Sequence, residues 1–208
     1  MNILIADDHA IVRKGLVQLL REGYPSVNIS EAVNSAEAIE MAKKNNFDVI
    51  LLDISMPGRN GIETLKQLRV DGVKSPILML SMHPEAQYAI RCLKAGAWGF
   101  INKETATEEL LGAVQKVLTG KKYITDAVAE MLADGVSVRA GKPLHELLSD
   151  REMQVLQQIA SGKTVSEIAE NIFLSVNTIS TYRARILEKL QLGNNAELTR
   201  YAIENDLV

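Results

Sequence analysis

Three carboxylates stand where two apolar runs end. Asp7 and Asp8 follow Ile3-Leu4-Ile5-Ala6, and Asp53 follows Val49-Ile50-Leu51-Leu52. Ser81 closes a third run, Ile77-Leu78-Met79-Leu80, and Lys103 follows a weaker one over Trp98–Asn102. If these runs are neighbouring strands, their ends gather three acids, a hydroxyl and an ammonium. Clustered carboxylates repel, so the cluster is costly unless a cation or a proton relieves it. Oxygen ligands suit a hard divalent ion, and Mg2+ is the usual one where phosphate is handled. The whole set suits a phosphoryl group, with Asp53 as nucleophile, the metal and Lys103 neutralising its oxygens, and Ser81 donating a hydrogen bond. Taken singly, an Asp after a strand is usually a turn or cap residue, and a loop Lys is usually solvated. The combination is what points to chemistry. His9 reads as a helix-start neighbour rather than a ligand, because the carboxylates already supply a hard site.

The elements that must position these residues follow from periodicity. Between the apolar runs lie stretches with helical spacing, such as Ile11, Val12, Leu16, Leu19 and Leu20, or Leu110, Leu111, Val114 and Val117. With Val27–Ala32 as a further weak strand, five strands alternate with five helices over the first 120 residues. That alternation predicts a doubly wound α/β domain, a five-stranded parallel sheet covered by helices on both faces. Ligands of such folds sit outside the carboxyl ends of the strands. Thr125 is placed to cap a short helix running to Asp134, with Val128, Met131 and Leu132 on one face. Residues 135–146 hold two Gly and one Pro without a period, and read as a linker. From Ser149 the pattern is wholly helical. Ser149 with Glu152 and Thr164 with Glu167 have capping-box spacing, Ser175 suits a third N-cap, and Gly162 suits a helix end. The predicted helices are 150–161, 165–171, 176–190 and 195–205. The domain division is therefore 1–121, a linker with a short helix over 122–146, and an all-α four-helix domain over 147–208.

Composition narrows the class without naming a partner. The 208 residues are 47% hydrophobic and 24% charged, which fits two ordinary globular domains. No apolar run is long enough for a membrane span, and MNILIADDH lacks the layout of a signal peptide. The single cysteine, Cys92, makes no internal disulfide and fits a core position, so the cytoplasm is the expected location. The net charge of −3 argues for no polyanion, and residues 149–208 hold six Lys/Arg against eight Asp/Glu. DNA binding has to be argued from local placement.

Residues 164–190 read as helix, short turn and longer helix. Projected at 100° per residue, Ile179, Tyr182, Ile186 and Leu190 share an inner face. Thr181, Ala184 and Glu188 fall opposite, with Ser180 and Arg185 on the shoulders. Arg183, Arg185 and Lys189 against Glu188 give this helix a local charge of +2, able to neutralise phosphates. The same spacing also suits an ordinary four-helix domain with a solvated basic face.

Asp7-Asp8, LLDISMPGRNGIE around Asp53, Ser81, and AGAWGFINK ending in Lys103 closely resemble the receiver domains of two-component signalling over residues 1–120. That resemblance implies a flavodoxin-like receiver in which a sensor histidine kinase phosphorylates Asp53. It implies Mg2+ held by Asp8, Asp53 and the backbone carbonyl of Ser55, with Asp7 acting through water. It also implies a switch in which Ser81 moves toward the phosphoryl group and Phe100 follows inward. Phe100 stands where many receivers have Tyr, so such a switch is steric. Glu104 follows Lys103 where many receivers have Pro, which removes the expectation of a cis peptide.

Residues 147–205, with LSDRE, Ile168-Ala169 and NTISTYRARILEKL, resemble the DNA-binding domain of the LuxR/FixJ (NarL-like) family. The implied function is a phosphorylation-controlled transcriptional regulator that is not an enzyme, reads double-stranded operator half-sites as a homodimer, and has RNA polymerase as a candidate partner. The last helix, carrying Leu198, Tyr201 and Ala202, is the implied dimer contact. Ser180 replaces a common Lys of the recognition helix. Groove contacts are expected from Ser180, Thr181, Ala184 and Arg185, and phosphate contacts from Lys163, Asn177, Thr178, Tyr182, Arg183 and Lys189. Two other readings stay open. A haloacid-dehalogenase-like phosphatase also uses an Asp nucleophile with Mg2+, but after the first strand and with a second Asp two residues on, where this chain has Ser55. A phosphorylation-controlled protein-interaction module would leave the arginines of 176–190 without a purpose.

Overall fold

A computed structural model of the chain describes residues 1–56, 59–82, 85–137, 143–205 and 207–208. It divides into two compact units, residues 1–137 and the residues beyond. In the first, strands β1 (Asn2–Ala6), β2 (Asn28–Ala32), β3 (Val49–Asp53), β4 (Ile77–Ser81) and β5 (Gly99–Asn102) form one parallel sheet in the order β2-β1-β3-β4-β5. Helices α1 (Ala10–Gly23), α2 (Ser35–Lys44), α3 (Gly61–Val70), α4 (Glu85–Lys94) and α5 (Ala106–Leu118) alternate with the strands.

β1, β3 and β4 are continuous apolar runs because both their faces are covered. Ile3, Ile5, Val49, Leu51, Leu78, Leu80 and Ile101 share a core with Leu16 and Leu20 of α1 and Leu110, Ala113, Val114 and Val117 of α5. The residues between them on each strand point the other way, and Leu4, Ile50, Leu52 and Met79 are fully buried there. Register aligns the carboxyl ends. Ala6 pairs with Leu52, Asp53 with Leu80, and Ser81 with Asn102. The residues following β1, ending β3 and β4, and following β5 therefore share one edge.

Helix α6 (Asp126–Ser137) starts where expected, with the Val128 amide donating to Thr125 Oγ1 at 3.3 Å and Val128 buried. It runs three residues past the expected end at Asp134, and it packs on α4 of the first unit. Part of the unpatterned stretch 135–146 is thus helical. Leu144–Leu147 form a 3-10 helix, and residues 138–142 of that stretch lie outside the described residues.

The second unit contains α7 (Asp150–Ala160), α8 (Val165–Asn171), α9 (Val176–Leu190) and α10 (Asn195–Glu204). Its starts follow the capping chemistry of the sequence. Ser149–Glu152 and Thr164–Glu167 form reciprocal capping boxes, and Ser175 Oγ accepts from the Thr178 amide. Gly162 ends α7 at φ +85°, a left-handed conformation that costs glycine nothing. No helix among the described residues is long and apolar enough to cross a membrane.

Candidate functional site

The aligned strand ends bring Asp7, Asp8, Asp53 and Lys103 together. Asp7 and Asp53 are fully buried, and the Lys103 side chain is 4% exposed. The Lys103 ammonium lies 2.7 Å from Asp7 Oδ2 and 3.0 Å from Asp53 Oδ1. It holds them by charge rather than by aligned hydrogen bonds. Lys103 and the Ser55 backbone lie close enough to lower the Asp53 carboxyl, but no well-aligned hydrogen bond among the described residues reaches either Asp53 oxygen, Asp7 Oδ2 or Asp8 Oδ1. Burial pushes the Asp53 carboxyl up from 3.8 to about 6; Lys103 opposes the rise and the Asp7 charge adds to it. Buried carboxylate oxygens without donors are a costly arrangement that a bound cation relieves.

Ser81 is buried at the end of β4, and its carbonyl accepts from the Lys103 amide at 2.8 Å. Ser55 lies exposed two residues beyond β3. Phe100 is buried at 3% exposure opposite Met79. No peptide bond among the described residues is cis, in keeping with Glu104 after Lys103.

Sequence reasoning missed the residue that shapes the loop under Asp53. Gly61 opens α3, and its amide donates to the Ile54 carbonyl at 2.8 Å. A Cβ there would sit 2.0 Å from the Asp53 carbonyl oxygen, so only glycine lets the start of α3 approach the end of β3 this closely. Asn60 caps the same helix through the Glu63 amide. The Asn-Gly pair before a helical period was the available signal. Ser35 of α2 and Thr64 of α3 share a buried hydrogen bond that no local pattern announces.

On the second unit, Ile179, Ile186 and Leu190 of α9 are buried and Tyr182 is half-buried. Asn177, Ser180, Thr181, Ala184 and Arg185 are exposed, as is Lys163 before α8; Thr178 and Arg183 are half-buried. Arg185 has no partner among the described residues, and Arg183 Nε donates to Asn195 Oδ1 at 2.5 Å. Lys189 stands apart from the other candidate phosphate contacts. Its ammonium pairs with Glu152 Oε2 at 2.6 Å and donates to the Leu147 carbonyl at 3.2 Å. Burial would raise the Glu152 carboxyl, but bonds from Lys189 and Ser149 outweigh it and hold it below its usual range. The α10 residues expected at a dimer contact are also engaged within their own domain. Leu198 and Ala202 are fully buried in their own domain, where α10 packs on α7, and Tyr201 OH meets His145 Nδ1 at 3.2 Å. The exposed large apolar residue of that helix is Ile203.

Residues 3–115 match the response regulator receiver domain, and residues 146–202 match the luxR family of bacterial regulatory proteins. The response regulator UvrY of Escherichia coli is 32% identical over 208 residues, covering 100% of this chain and 95% of its own length. BvgA of Bordetella pertussis is 32% identical over 207 residues, covering 99% of this chain and 98% of its own. Among solved structures, RcsB from Salmonella enterica serovar Typhimurium, bound to promoter rprA in the presence of phosphomimetic BeF3−, is similar over 97% of both chains, with 28% identity and a TM-score of 0.67.

The chain belongs to the LuxR-type response regulators.

These are phosphorylation-controlled transcriptional regulators, not an enzyme family. In this LuxR-type response regulator the two candidate sites fall in different matched domains. The acid cluster lies wholly within the receiver match, and α8 and α9 lie wholly within the luxR match.

Proposed function

We propose that Asp53 is the phosphoacceptor of this regulator, and that its phosphorylation by a sensor histidine kinase controls DNA binding through α9. One observation carries the reading: a buried carboxylate at a strand end, with both oxygens lacking aligned donors, beside a buried lysine and two further acids. An oxygen of Asp53 attacks the phosphorus of the donor phosphohistidine, the P–N bond breaks, and an acyl phosphate forms on Asp53. Lys103 is placed to neutralise a phosphoryl oxygen, and the Ser81 hydroxyl to donate to one. The donor set is all oxygen apart from His9, which fits Mg2+ held by Asp8, Asp53 and the Ser55 carbonyl, with Asp7 acting through water. A bound Mg2+ supplies counter-charge to the transferring phosphoryl oxygens.

The functional division is a receiver over 1–121, a connecting segment over 122–146 and a DNA-binding domain over 147–208. In that domain Ser180, Thr181, Ala184 and Arg185 face base edges. Lys163, Asn177, Thr178, Tyr182 and Arg183 face phosphates. The promoter-bound RcsB structure supports this reading by its similarity over 97% of the chain. The regulator works in the cytoplasm, as a homodimer once phosphorylated. The test is phosphoryl labelling from a small-molecule donor with Mg2+. The wild type takes up label and Asp53→Asn takes up none; wild-type labelling of Asp53→Asn overturns the assignment.

A further inference from the structure

The imidazole of His9 sits at the acid cluster, and the phosphoryl chemistry above gives it no role. Its Nδ1 lies 2.9 Å from Asp8 Oδ1 and 3.4 Å from Asp7 Oδ1. The candidate ligand atoms of Asp7, Asp8, His9 and Asp53 all fall within 4.8 Å of one another. Around an octahedral ion with bonds of about 2.1 Å, neighbouring donors sit about 3 Å apart and opposite donors about 4.2 Å apart. The two contacts of His9, at 2.9 and 3.4 Å, match the spacing of neighbouring donors. Independently of the acids' proximity, the fully buried Asp53 has two oxygens without an aligned donor.

The fold holds His9 by its backbone. Its amide donates to Asp7 Oδ1 at 2.8 Å, and its carbonyl accepts from Arg13 as α1 begins. The ring makes no capping bond to that helix, and the side chain is 60% exposed. With a cation bound, Nδ1 would exchange its contact with Asp8 for the ion and Nε2 would carry the ring proton, the arrangement a metal-bound imidazole needs.

We propose that His9 Nδ1 is a further ligand of the cation held by Asp8, Asp53 and the Ser55 carbonyl, and that it biases the site toward nitrogen-binding transition-metal ions over Mg2+. The inference rests on the reading of the cluster as a cation site. Mg2+ prefers oxygen and retains its waters, so it gains little from an imidazole. Ni2+ and its neighbours bind imidazole well, and their affinities for mixed nitrogen and oxygen sites exceed those of the early divalent ions. An all-oxygen cluster already favours Ni2+ over Mg2+ to some degree. The readout that isolates His9 is therefore the change in that preference when the ring is removed.

The experiment is calorimetric titration of the full chain with Mg2+ and, separately, with Ni2+, for the wild type, His9→Ala and Asp8→Asn. Asp8→Asn identifies the cluster's share of Ni2+ binding, since the chain has three histidines. His9→Ala is expected to weaken Ni2+ at the cluster by about tenfold or more, within the range usual for residues around metal sites, and to leave Mg2+ within about twofold. Equal weakening of both ions, or unchanged Ni2+ binding, overturns the role of His9 while leaving the cation site intact. A wild type that binds neither ion at the cluster overturns the cation reading, and this proposal with it.

Discussion

At the strand ends of the receiver, Asp7, Asp53 and Lys103 are almost wholly buried, whereas on α9 Ser180, Thr181, Ala184 and Arg185 lie open to solvent. The same kinds of charge carry opposite meanings in these two places. A buried carboxylate must be paired or relieved, so its presence is already a statement about a ligand. An exposed arginine costs nothing, and its presence states little until a partner is known. The acid cluster therefore declares its chemistry through energetics, while the recognition helix declares it only through shape and similarity. Substitutions in the first region should strike stability and function together, and substitutions in the second should separate them.

The largest effect is expected at Lys103. Lys103→Met leaves Asp7 and Asp53 buried without their cation, and should destabilise the receiver by about 3–5 kcal/mol in chelator. Added Mg2+ should restore part of that loss. Denaturant unfolding measures it; a change within about 0.5 kcal/mol, the level of an ordinary surface substitution, would break the contrast between the two regions.

Asp53 comes next, through pH. Its folded value of about 6 lies above its ordinary 3.8, so the folded chain keeps a proton that the unfolded chain releases. Stability is then lost as pH rises from about 4 to about 6, and the penalty persists above that window. Asp53→Asn removes the penalty and should stabilise the metal-free protein at pH 8 by roughly 1–3 kcal/mol, with no gain below about pH 4. Unfolding curves of both proteins in chelator at the two pH values test this. A gain of equal size at both would assign the effect to packing rather than charge.

The recognition helix sharpens the comparison with a pair. Arg185→Ala should leave folding within about 0.5 kcal/mol and cost about 1–3 kcal/mol on a specific DNA site, relaxing preference at one base pair. Lys189→Ala should do the reverse. It strips the partner from Glu152, which is buried and part of the capping box of α7. The effector domain should lose about 1 kcal/mol, modest because Lys189 is itself 37% exposed, and the salt dependence of DNA binding should stay unchanged. A shallower salt slope for Lys189→Ala would return that residue to the phosphate contacts.

How much of this was legible in the sequence follows the same divide. The five apolar runs, their terminal acids and the capping spacings are local signals, and each marks an element within a residue or three of where it lies. The partners that cross the chain were not legible. Lys189 reaches back to Glu152 across 37 positions, and nothing in α9 distinguishes its ammonium from a solvated one. Leu198 and Ala202 have the spacing of an apolar face whether that face meets a second copy or, as here, α7 of the same domain. Gly61 was visible as a glycine, but its need appears only when the loop folds against Asp53. The end of α6 was misplaced because Gly135 reads as a stop, and the helix continues through it to Ser137.

The central claim joins the two regions: charge added at Asp53 changes what α9 does. The direct measurement is the affinity of the full chain for a selected DNA site, by fluorescence anisotropy, with and without a small-molecule phospho-donor and Mg2+. Phosphorylation should tighten wild-type binding by about 5–150-fold, the usual range of allosteric coupling, and should leave Asp53→Asn unmoved. Equal affinity of the wild type in both conditions, with labelling of Asp53 verified in the same sample, would contradict the account.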